Sequence, residues 1–224
     1  MKVALSSSSG PSPGVLVVQG DSGPGGTGIA NPTVNAWPYV MARLLQAQGF
    51  RFTLYVASHP GEYTADMLTR EAVDVTARYS DSGRLLFGHR ASCVFLEHAG
   101  SNDLATGIDE PTTVRTNMNS WNTAAVAPGP GIITGQTGLL SRTSQFSGGM
   151  SASSFATKRA ANVAYCATQV GTRWAFAGNP SVRPELADAA DTGFFLDGVH
   201  LTIAGHAIYG EYLAGLVRTA VLAT

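Results

Sequence analysis

The chain alternates short apolar runs with longer stretches in which apolar residues recur at helical spacing. The apolar runs predict strands at 15–19 (VLVVQ), 52–57 (FTLYVA), 93–99 (CVFLEHA), 131–135 and 173–177. The helical stretches are 34–48, 65–79, 111–126, 155–170 and 203–222. Because strands separated by helices are typical of βαβ units, this order predicts an α/β fold, with a central, mostly parallel sheet covered by helices on both faces.

Two of the predicted helices carry further signals. In the first, five apolar residues share the spacing of a single buried stripe: Val34, Trp37, Met41, Leu44 and Leu45. Before the last helix, Thr202 has the side chain of an N-cap, which would accept a hydrogen bond from one of the free N–H groups of the first turn. Both signals favour helices that pack on the predicted sheet.

The length and apolar content describe one domain over residues 1–224, with 44% apolar residues. Residues 1–14 are expected to form an N-terminal arm and loop, because SSSSGPSPG is the only low-complexity stretch. Residues 136–153 are long and rich in Gly and Ser, which predicts a surface loop over a site.

Composition excludes several classes of function. The chain has 14 Lys and Arg against 15 Asp and Glu, so it lacks the basic face that a nucleic-acid partner requires. No apolar run approaches the roughly 18 residues of a membrane span, and the N-terminal apolar stretch is too short for a signal peptide. We therefore expect a soluble protein, whether cytoplasmic, secreted after processing or virion-associated. The two cysteines, Cys93 and Cys166, are expected to be small buried side chains rather than a disulfide framework.

The loops after the first three predicted strands are candidates for the chemistry. They contain Gly20-Asp21-Ser22, then Ser58-His59-Pro60-Gly61, then Gly100-Ser101-Asn102-Asp103. In a parallel α/β sheet, ligands bind outside the carboxyl ends of the strands. We therefore expect these three loops to lie side by side.

The first loop resembles three known glycine-rich motifs but matches none of them fully. Residues 23–28 satisfy G-x-G-x-x-G, but Asn31-Pro32 separates them from the helix and the second strand ends without the acidic residue that a dinucleotide site requires. A P-loop would need a Lys after the glycines. The nucleophile elbow G-x-S-x-G fails because Pro24 stands where its last glycine belongs.

A serine acts as a nucleophile only if a base takes its proton. A candidate base lies near the C-terminal end of the sequence. Asp197 and His200 lie three residues apart just before the last helix. In a tight loop Asp197 can accept a hydrogen bond from one ring nitrogen, which leaves the other free to take a proton from Ser22. Each of these residues alone is more often an ordinary turn residue, but together they form a complete nucleophile, base and orienter.

These residues resemble the SGNH hydrolases, the GDSL-type esterase and lipase family. Gly20-Asp21-Ser22 resembles the first conserved block of that family, Gly61 the second, Gly100-Ser101-Asn102-Asp103 the third and Asp197-Gly198-Val199-His200 the fifth. The four blocks stand in family order from Ser22 to His200, so the resemblance covers most of the chain. One departure is Gly23, where the family usually has Leu.

The resemblance implies a three-layer α/β/α, flavodoxin-like SGNH hydrolase fold and a serine esterase mechanism. Ser22 would be the nucleophile, His200 the general base and then acid, and Asp197 the residue that orients His200. The oxyanion hole would consist of the backbone N–H groups of Ser22 and Gly61 with the side-chain amide of Asn102. No cofactor and no metal are implied. Of the other histidines, His98 and His206 are expected to be structural and His89 to lie in a turn. His59 could line the site, but a structural role is favoured for it.

The predicted activity is hydrolysis of a short acyl ester, with an O-acetyl group on a carbohydrate favoured because Trp37, Tyr63 and Trp121 could contact sugars. One alternative is a catalytically inactive carbohydrate-binding or virion structural module on the same fold. Another is a lipase or thioesterase that acts on lipid-like acyl esters. The sequence does not determine the oligomeric state.

Overall fold

The structure is a computed structural model that describes residues 2–3, 14–81 and 93–224. Most of the predicted N-terminal arm, at residues 1 and 4–13, lies outside the described residues. Gly14, the last residue of that predicted arm, is instead the first residue of a strand.

The described residues form one sheet with the strand order β1-β3-β2-β4-β5-β6. The strands are β1 (Lys2–Val3), β2 (Gly14–Gly20), β3 (Phe52–Ser58), β4 (Cys93–His98), β5 (Ile132–Gln136) and β6 (Phe176–Ala177). Strands β2 to β6 pair in parallel, and only β1 runs antiparallel to its neighbour β3. The predicted α/β class and the mostly parallel central sheet are therefore confirmed.

Helices connect the strands. The α-helices of the described residues are α1 (Ser22–Gly25), α2 (Pro32–Asn35), α3 (Trp37–Ala47), α4 (Thr64–Asp74), α5 (Ser101–Ala105), α6 (Arg115–Val126), α7 (Ala152–Thr168), α8 (Pro184–Ala187) and α9 (Ile203–Leu222). Three further helical turns are Thr76–Asp81 and Pro180–Val182, which are 3-10 helices, and Glu110–Val114, which is a π-helix. Helix α9 has the predicted bounds, and Thr202 caps it by accepting a hydrogen bond from the Gly205 N–H at 3.1 Å.

Apolar side chains on the two faces of the sheet form two separate cores. Leu16 and Val18 of β2 belong to the core that includes α3 and α9, whereas Val15 and Val17 belong to the core that includes α6 and α7. All seven residues of β2 are buried. A strand covered on both faces reads as a continuous apolar run, which is why β2 shows no alternation in the sequence.

The predicted first helix is divided at Ala36. Ala36 has an extended backbone and precedes α3, whose first turn contains Pro38. Proline fits the first turn of a helix, where its missing N–H would have no partner, so α3 begins at Trp37. As a result the predicted buried stripe is wrong at Val34, whose side chain is 51% exposed.

Two other predicted elements are shorter than expected. The predicted strand at 173–177 pairs as a strand only at Phe176–Ala177. The predicted helix at 65–79 is an α-helix as far as Asp74 and then tightens into a 3-10 turn.

Cys93 and Cys166 are both buried and form no disulfide, as expected. Among the described residues, no helix is long and apolar enough to cross a membrane.

Candidate active site

Ser22 lies where the buried strand β2 turns into helix α1. The carboxylate of Asp21 accepts a hydrogen bond from the Gly23 N–H at 2.9 Å and so closes the turn. The neighbouring strand β3 also holds the turn, because the His59 N–H donates to the Gly20 carbonyl at 3.0 Å and the Ser58 hydroxyl donates to the Asp21 carbonyl. The Ser22 backbone is therefore fixed from two strands.

The buried imidazole of His98 limits the size of the side chain at position 23, where the chain has glycine. His98 ends β4 and is buried, with its Nδ1 2.7 Å from the Thr137 hydroxyl. A Cβ on Gly23 would lie 2.7 Å from the His98 Nε2, which is closer than real side chains approach. A side chain at this position, such as the leucine that the resemblance would place after Ser22, would therefore require His98 to shift.

His98 was expected to be structural, and the structure shows which part of the site it supports. Its imidazole packs against the rings of Trp37 and Tyr209, with centroids 5.8 and 6.0 Å away, and its Nε2 is 3.9 Å from the Asp21 carboxylate. Burial lowers the pKa of His98 and outweighs the opposite effect of Asp21. The expectation that His98 is structural holds, and it supports the turn that carries Ser22.

Asp197 and His200 lie in a tight loop before helix α9. The Asp197 Oδ1 accepts hydrogen bonds from the backbone N–H groups of Val199 at 3.0 Å and His200 at 2.8 Å. The Leu196 N–H donates to the His200 carbonyl at 2.7 Å, which closes the loop. The spacing Asp-x-x-His thus folds back so that both side chains face the same way.

The structure brings Ser22, His200 and Asp197 into one hydrogen-bonded chain. The Ser22 Oγ is 2.9 Å from the His200 Nε2, and the His200 Nδ1 is 2.7 Å from the Asp197 Oδ2. Because a carboxylate only accepts hydrogen bonds, Nδ1 carries the imidazole proton and Nε2 is left to accept the proton of the Ser22 hydroxyl. This arrangement can convert a serine hydroxyl into a nucleophile.

The carboxyl group of Asp197 is held in its charged form. Burial raises its pKa, but the hydrogen bonds from the backbone N–H and the imidazole of His200 outweigh that effect, so the net pKa is lowered. The Asp197 side chain is nevertheless 41% exposed. The Gln145 side chain donates a further hydrogen bond to the Asp197 Oδ2 at 2.9 Å.

The two other residues predicted for the site lie in the loops after β3 and β4. Gly61 has a φ of +83°, a conformation that L side chains rarely adopt, and it is exposed. Asn102 lies in the first turn of α5, and its Nδ2 donates to the Glu62 carbonyl at 3.0 Å. Among the described residues, the backbone N–H groups of Ser22 and Gly61 donate to no acceptor.

The loop between β5 and α7 reaches the site, but the predicted surface loop over 136–153 is only partly correct. Gln136 ends β5, residues 152–153 begin α7, and most of residues 136–142 are buried. The Thr143 N–H donates to the Gly198 carbonyl at 2.9 Å, and the Ser144 hydroxyl donates to the Asp197 carbonyl. Arg142 donates to the Asn102 Oδ1 at 3.2 Å. Sequence reasoning identified the segment but not these side chains, and composition was the only signal available for them.

Two of the three aromatic residues considered for sugar contacts are unavailable. Trp37 and Trp121 are both 0% exposed. The Trp121 indole N–H donates to the Gln19 side chain at 2.6 Å inside the protein. The expectation that these two residues contact a substrate is wrong, because they fill the two cores; only Tyr63 is partly exposed.

His206 and His59 differ in their surroundings. His206 is buried in α9, where its Nδ1 accepts a hydrogen bond from the Trp37 N–H at 3.2 Å, and burial lowers its pKa to about 4. Its packing role is confirmed, whereas the turn expected at His89 lies outside the described residues. His59 is exposed, and its N–H supports the Ser22 turn. No group of three His, Cys, Asp or Glu residues within 2–3, 14–81 and 93–224 could hold a metal ion.

The chain has the fold of the SGNH, or GDSL-type, hydrolases. It is similar to a member of the lipolytic protein G-D-S-L family from Veillonella parvula, with a TM-score of 0.66 and 14% identity, over 91% of this chain and 98% of that one. It is also similar to the lipase/acylhydrolase from Enterococcus faecalis, with a TM-score of 0.62 and 18% identity, over 92% and 95% of the two chains.

A third similar structure is the psychrotrophic esterase EstA from Pseudoalteromonas sp., with a TM-score of 0.62 and 13% identity, over 92% of this chain and 97% of that one. No protein-family model matches the chain, and no curated protein matches it by sequence. The likeness therefore lies in the fold, and the assignment of chemistry rests on the side chains.

Proposed function

We propose that the protein is a serine esterase formed by one domain over residues 1–224, with Ser22 as the nucleophile, His200 as the base and Asp197 as the orienting carboxylate. The observation that carries this proposal is the continuous hydrogen-bonded chain from Ser22 through His200 to Asp197. The similar folds of an esterase and a lipase/acylhydrolase support the choice of ester hydrolysis as the reaction.

The reaction proceeds in two halves. The Ser22 Oγ attacks the ester carbonyl carbon while the His200 Nε2 takes the hydroxyl proton, and the same nitrogen then gives that proton to the departing alcohol. A water molecule attacks the resulting acyl-enzyme, again with His200 as the base, and the acid is released as Ser22 regains its proton. Asp197 holds the imidazole in the required tautomer and stabilises its positive charge.

The negative charge that develops on the carbonyl oxygen needs hydrogen-bond donors. We assign this role to the backbone N–H groups of Ser22 and Gly61 and to the Asn102 side-chain amide. Their support is that both N–H groups lack a protein acceptor among the described residues. Preorganised donors of this kind each contribute about 10²–10³-fold to the rate.

The substrate is proposed to be a short acyl ester, including an O-acetyl group on a carbohydrate. The carbohydrate preference now depends on Tyr63 alone among the aromatic residues considered, because Trp37 and Trp121 are buried. A lipid-like acyl ester is the second candidate. It is favoured by Leu196, which is 46% exposed and borders Gly28 in the loop that follows Ser22.

Replacement of Ser22 tests the proposed activity. In Ser22→Ala, hydrolysis of p-nitrophenyl acetate should fall to background, while circular dichroism and thermal unfolding match the wild type. Turnover that survives the substitution would reject Ser22 as the nucleophile. Initial rates on p-nitrophenyl esters of two to twelve carbons, beside acetate release from acetylated glycans, separate the candidate substrates.

A fluorophosphonate probe tests the inactive binding module. Stoichiometric labelling, located at Ser22 by mass spectrometry and absent in Ser22→Ala, would exclude the inactive module. A wild-type protein that takes up no probe would favour the module over the esterase.

A further inference from the structure

Arg142 is a buried arginine beside the candidate oxyanion hole. Its side chain lies in the loop between β5 and α7 and is 7% exposed. Its Nε donates to the Ser144 carbonyl at 2.9 Å, and its Nη2 donates to the Gln145 carbonyl at 2.6 Å. These two bonds lock the guanidinium in place, and its remaining nitrogen, Nη1, faces α5.

At α5, the Arg142 Nη1 meets the Asn102 amide. It donates to the Asn102 Oδ1 at 3.2 Å and to the Ser101 hydroxyl at 3.4 Å. No carboxylate of the described residues forms an ion pair with Arg142. The Asp21 and Asp197 carboxylates act on Arg142 only from a longer distance, and burial outweighs them and lowers its pKa. Burying a charge with no carboxylate in contact is costly, so a purely structural role would be better served by a neutral side chain.

Two contacts fix which way the Asn102 amide points, one with Arg142 and one with the Glu62 carbonyl. A guanidinium only donates hydrogen bonds, so it requires the carbonyl oxygen of the amide on its side. The Nδ2 is then on the opposite side, where one of its N–H groups donates to the Glu62 carbonyl at 3.0 Å. The second N–H has no acceptor among the described residues and remains for a substrate oxygen.

We propose that Arg142 is a positioning residue that holds the Asn102 amide with Nδ2 toward the reacting carbonyl and polarises that amide through Oδ1. The inference rests on the proposed esterase function and adds a residue to it. A positively charged donor on Oδ1 makes the N–H groups of the amide stronger donors. Arg142 therefore acts on the transition state through Asn102, without contacting the substrate.

A second route from Arg142 to the site must be separated from the first. The carbonyl of Gln145 binds Arg142, and the side chain of Gln145 binds the Asp197 Oδ2 at 2.9 Å. A disturbance that followed this route would act on His200 and would shift the apparent pKa of the base in the pH profile. Arg142 also acts electrostatically on Asp197, so the two routes are compared in Arg142→Lys, which keeps the charge. In that variant a disturbance through Asn102 would leave the pKa of the base unchanged.

A double-mutant cycle measures the coupling between Arg142 and Asn102. The variants are Arg142→Gln, Asn102→Ala and their combination, with kcat and KM determined on p-nitrophenyl acetate. We expect Asn102→Ala to lower kcat about 10²-fold and Arg142→Gln about tenfold, with KM changed less than about threefold. In the Asn102→Ala background, Arg142→Gln should change kcat less than about twofold.

Arg159 is the matched control. It is partly buried, and it donates to the Leu139 carbonyl of the same loop at 2.7 Å and to the Ser181 hydroxyl at 2.6 Å. Arg159→Gln should lower thermal stability in a similar way but leave kcat within about twofold. Arg142→Lys is the second variant, because it keeps the charge and loses the planar fork; its kcat should lie between those of wild type and Arg142→Gln.

Three results would reject Arg142 as a positioning residue. An Arg142→Gln effect of equal size with and without Asn102, or a shifted base pKa in the pH profile of the charge-keeping variant Arg142→Lys, would overturn it. Arg159→Gln losing as much kcat as Arg142→Gln would also overturn it, since the effect would then be general to the loop. These failures leave Ser22-dependent turnover intact, whereas absence of both turnover and fluorophosphonate labelling in the wild type would remove the esterase and this inference together.

Discussion

Ser22 stands at the end of a strand whose seven residues are all buried, whereas Asp197 and His200 lie in a loop well beyond the last strand of the sheet. The Ser22 turn is held by hydrogen bonds from β3 and by close packing on His98. The Asp197 loop is held by its own backbone and by residues 143–145 of another loop.

Because of this difference, we expect substitutions in the two regions to affect different properties. Substitutions beneath Ser22 disturb the core and should lower the free energy of unfolding. Substitutions around Asp197 disturb an exposed arrangement and should lower the rate with little change in stability. Four predictions test this contrast, beginning with the largest expected effect.

His200→Ala should lower kcat at least about 10⁴-fold, because the Ser22 hydroxyl loses its base. The free energy of unfolding should change by about 1 kcal/mol or less, since the side chain is hydrogen-bonded and 15% exposed but belongs to neither apolar core. Ester hydrolysis and urea unfolding measure the two quantities. Combining His200→Ala with Ser22→Ala should add almost nothing to the loss of rate; fully multiplicative losses would contradict a shared mechanism.

Gly23→Ala should destabilise the protein by about 1–3 kcal/mol, because the new Cβ would lie 2.7 Å from the His98 Nε2. Gly215→Ala is the matched control. Gly215 lies in α9 with nothing within 4 Å of an added Cβ, so alanine should be neutral or should stabilise the helix by about 0.5–1 kcal/mol. Equal unfolding midpoints for the two variants would show that the Ser22 turn is not tightly packed.

Gln145→Asn should lower kcat about two- to tenfold, because the shorter amide cannot reach the Asp197 Oδ2 and one charge-assisted hydrogen bond is lost. Asparagine is chosen because Gln145 has a φ of +57°, a conformation that Asn tolerates. The melting temperature should be unchanged by differential scanning calorimetry. A fall in melting temperature without a change in kcat would reverse the assignment of this contact.

Glu97→Gln should change the pH dependence of stability and leave kcat unaltered. Burial raises the pKa of Glu97 in β4 to about 8, an effect opposed by the hydrogen bond from Gln136. Between the ordinary pKa of a glutamate and about 8, the folded protein keeps a proton that the unfolded chain releases, so this group's contribution to stability falls as pH rises.

The glutamine side chain does not titrate. The free energy of unfolding of Glu97→Gln should therefore exceed that of wild type by on the order of 1–3 kcal/mol at about pH 9 and by little at about pH 5. Urea unfolding at the two pH values measures the gain. Parallel pH curves for the two proteins would indicate that Glu97 is charged in the folded state at neutral pH.

Much of the fold could be predicted because it depends on local patterns. The alternation of apolar runs with helical spacing indicated the parallel sheet, and the bounds of α9 followed from its cap and periodicity. The errors lie where neighbouring elements override the local pattern. Val34 has the spacing of a buried stripe but falls outside α3, and β6 is short although its sequence is apolar.

Some residues of the candidate site could also be predicted from local motifs, and others could not. Ser22, Asp197 and His200 could be selected from the sequence because each stands in a short motif at an element boundary, and Gly61 and Asn102 followed from the resemblance. Arg142 and Gln145 could not be selected, since no motif marks them, and the support that His98 gives to the Ser22 turn could not be foreseen. Their roles depend on contacts between segments that are distant in the chain.

The sequence by itself determined the class of fold and the residue types available for ester chemistry, because strand, helix and turn preferences act over a few neighbouring residues. Only the tertiary structure decided that the Ser22 Oγ lies 2.9 Å from the His200 Nε2, across 178 residues of chain. It also decided that Trp37 and Trp121 fill the cores instead of facing a substrate. Hydrogen bonds and burial between remote segments depend on how the elements pack, and that information is distributed over the whole chain.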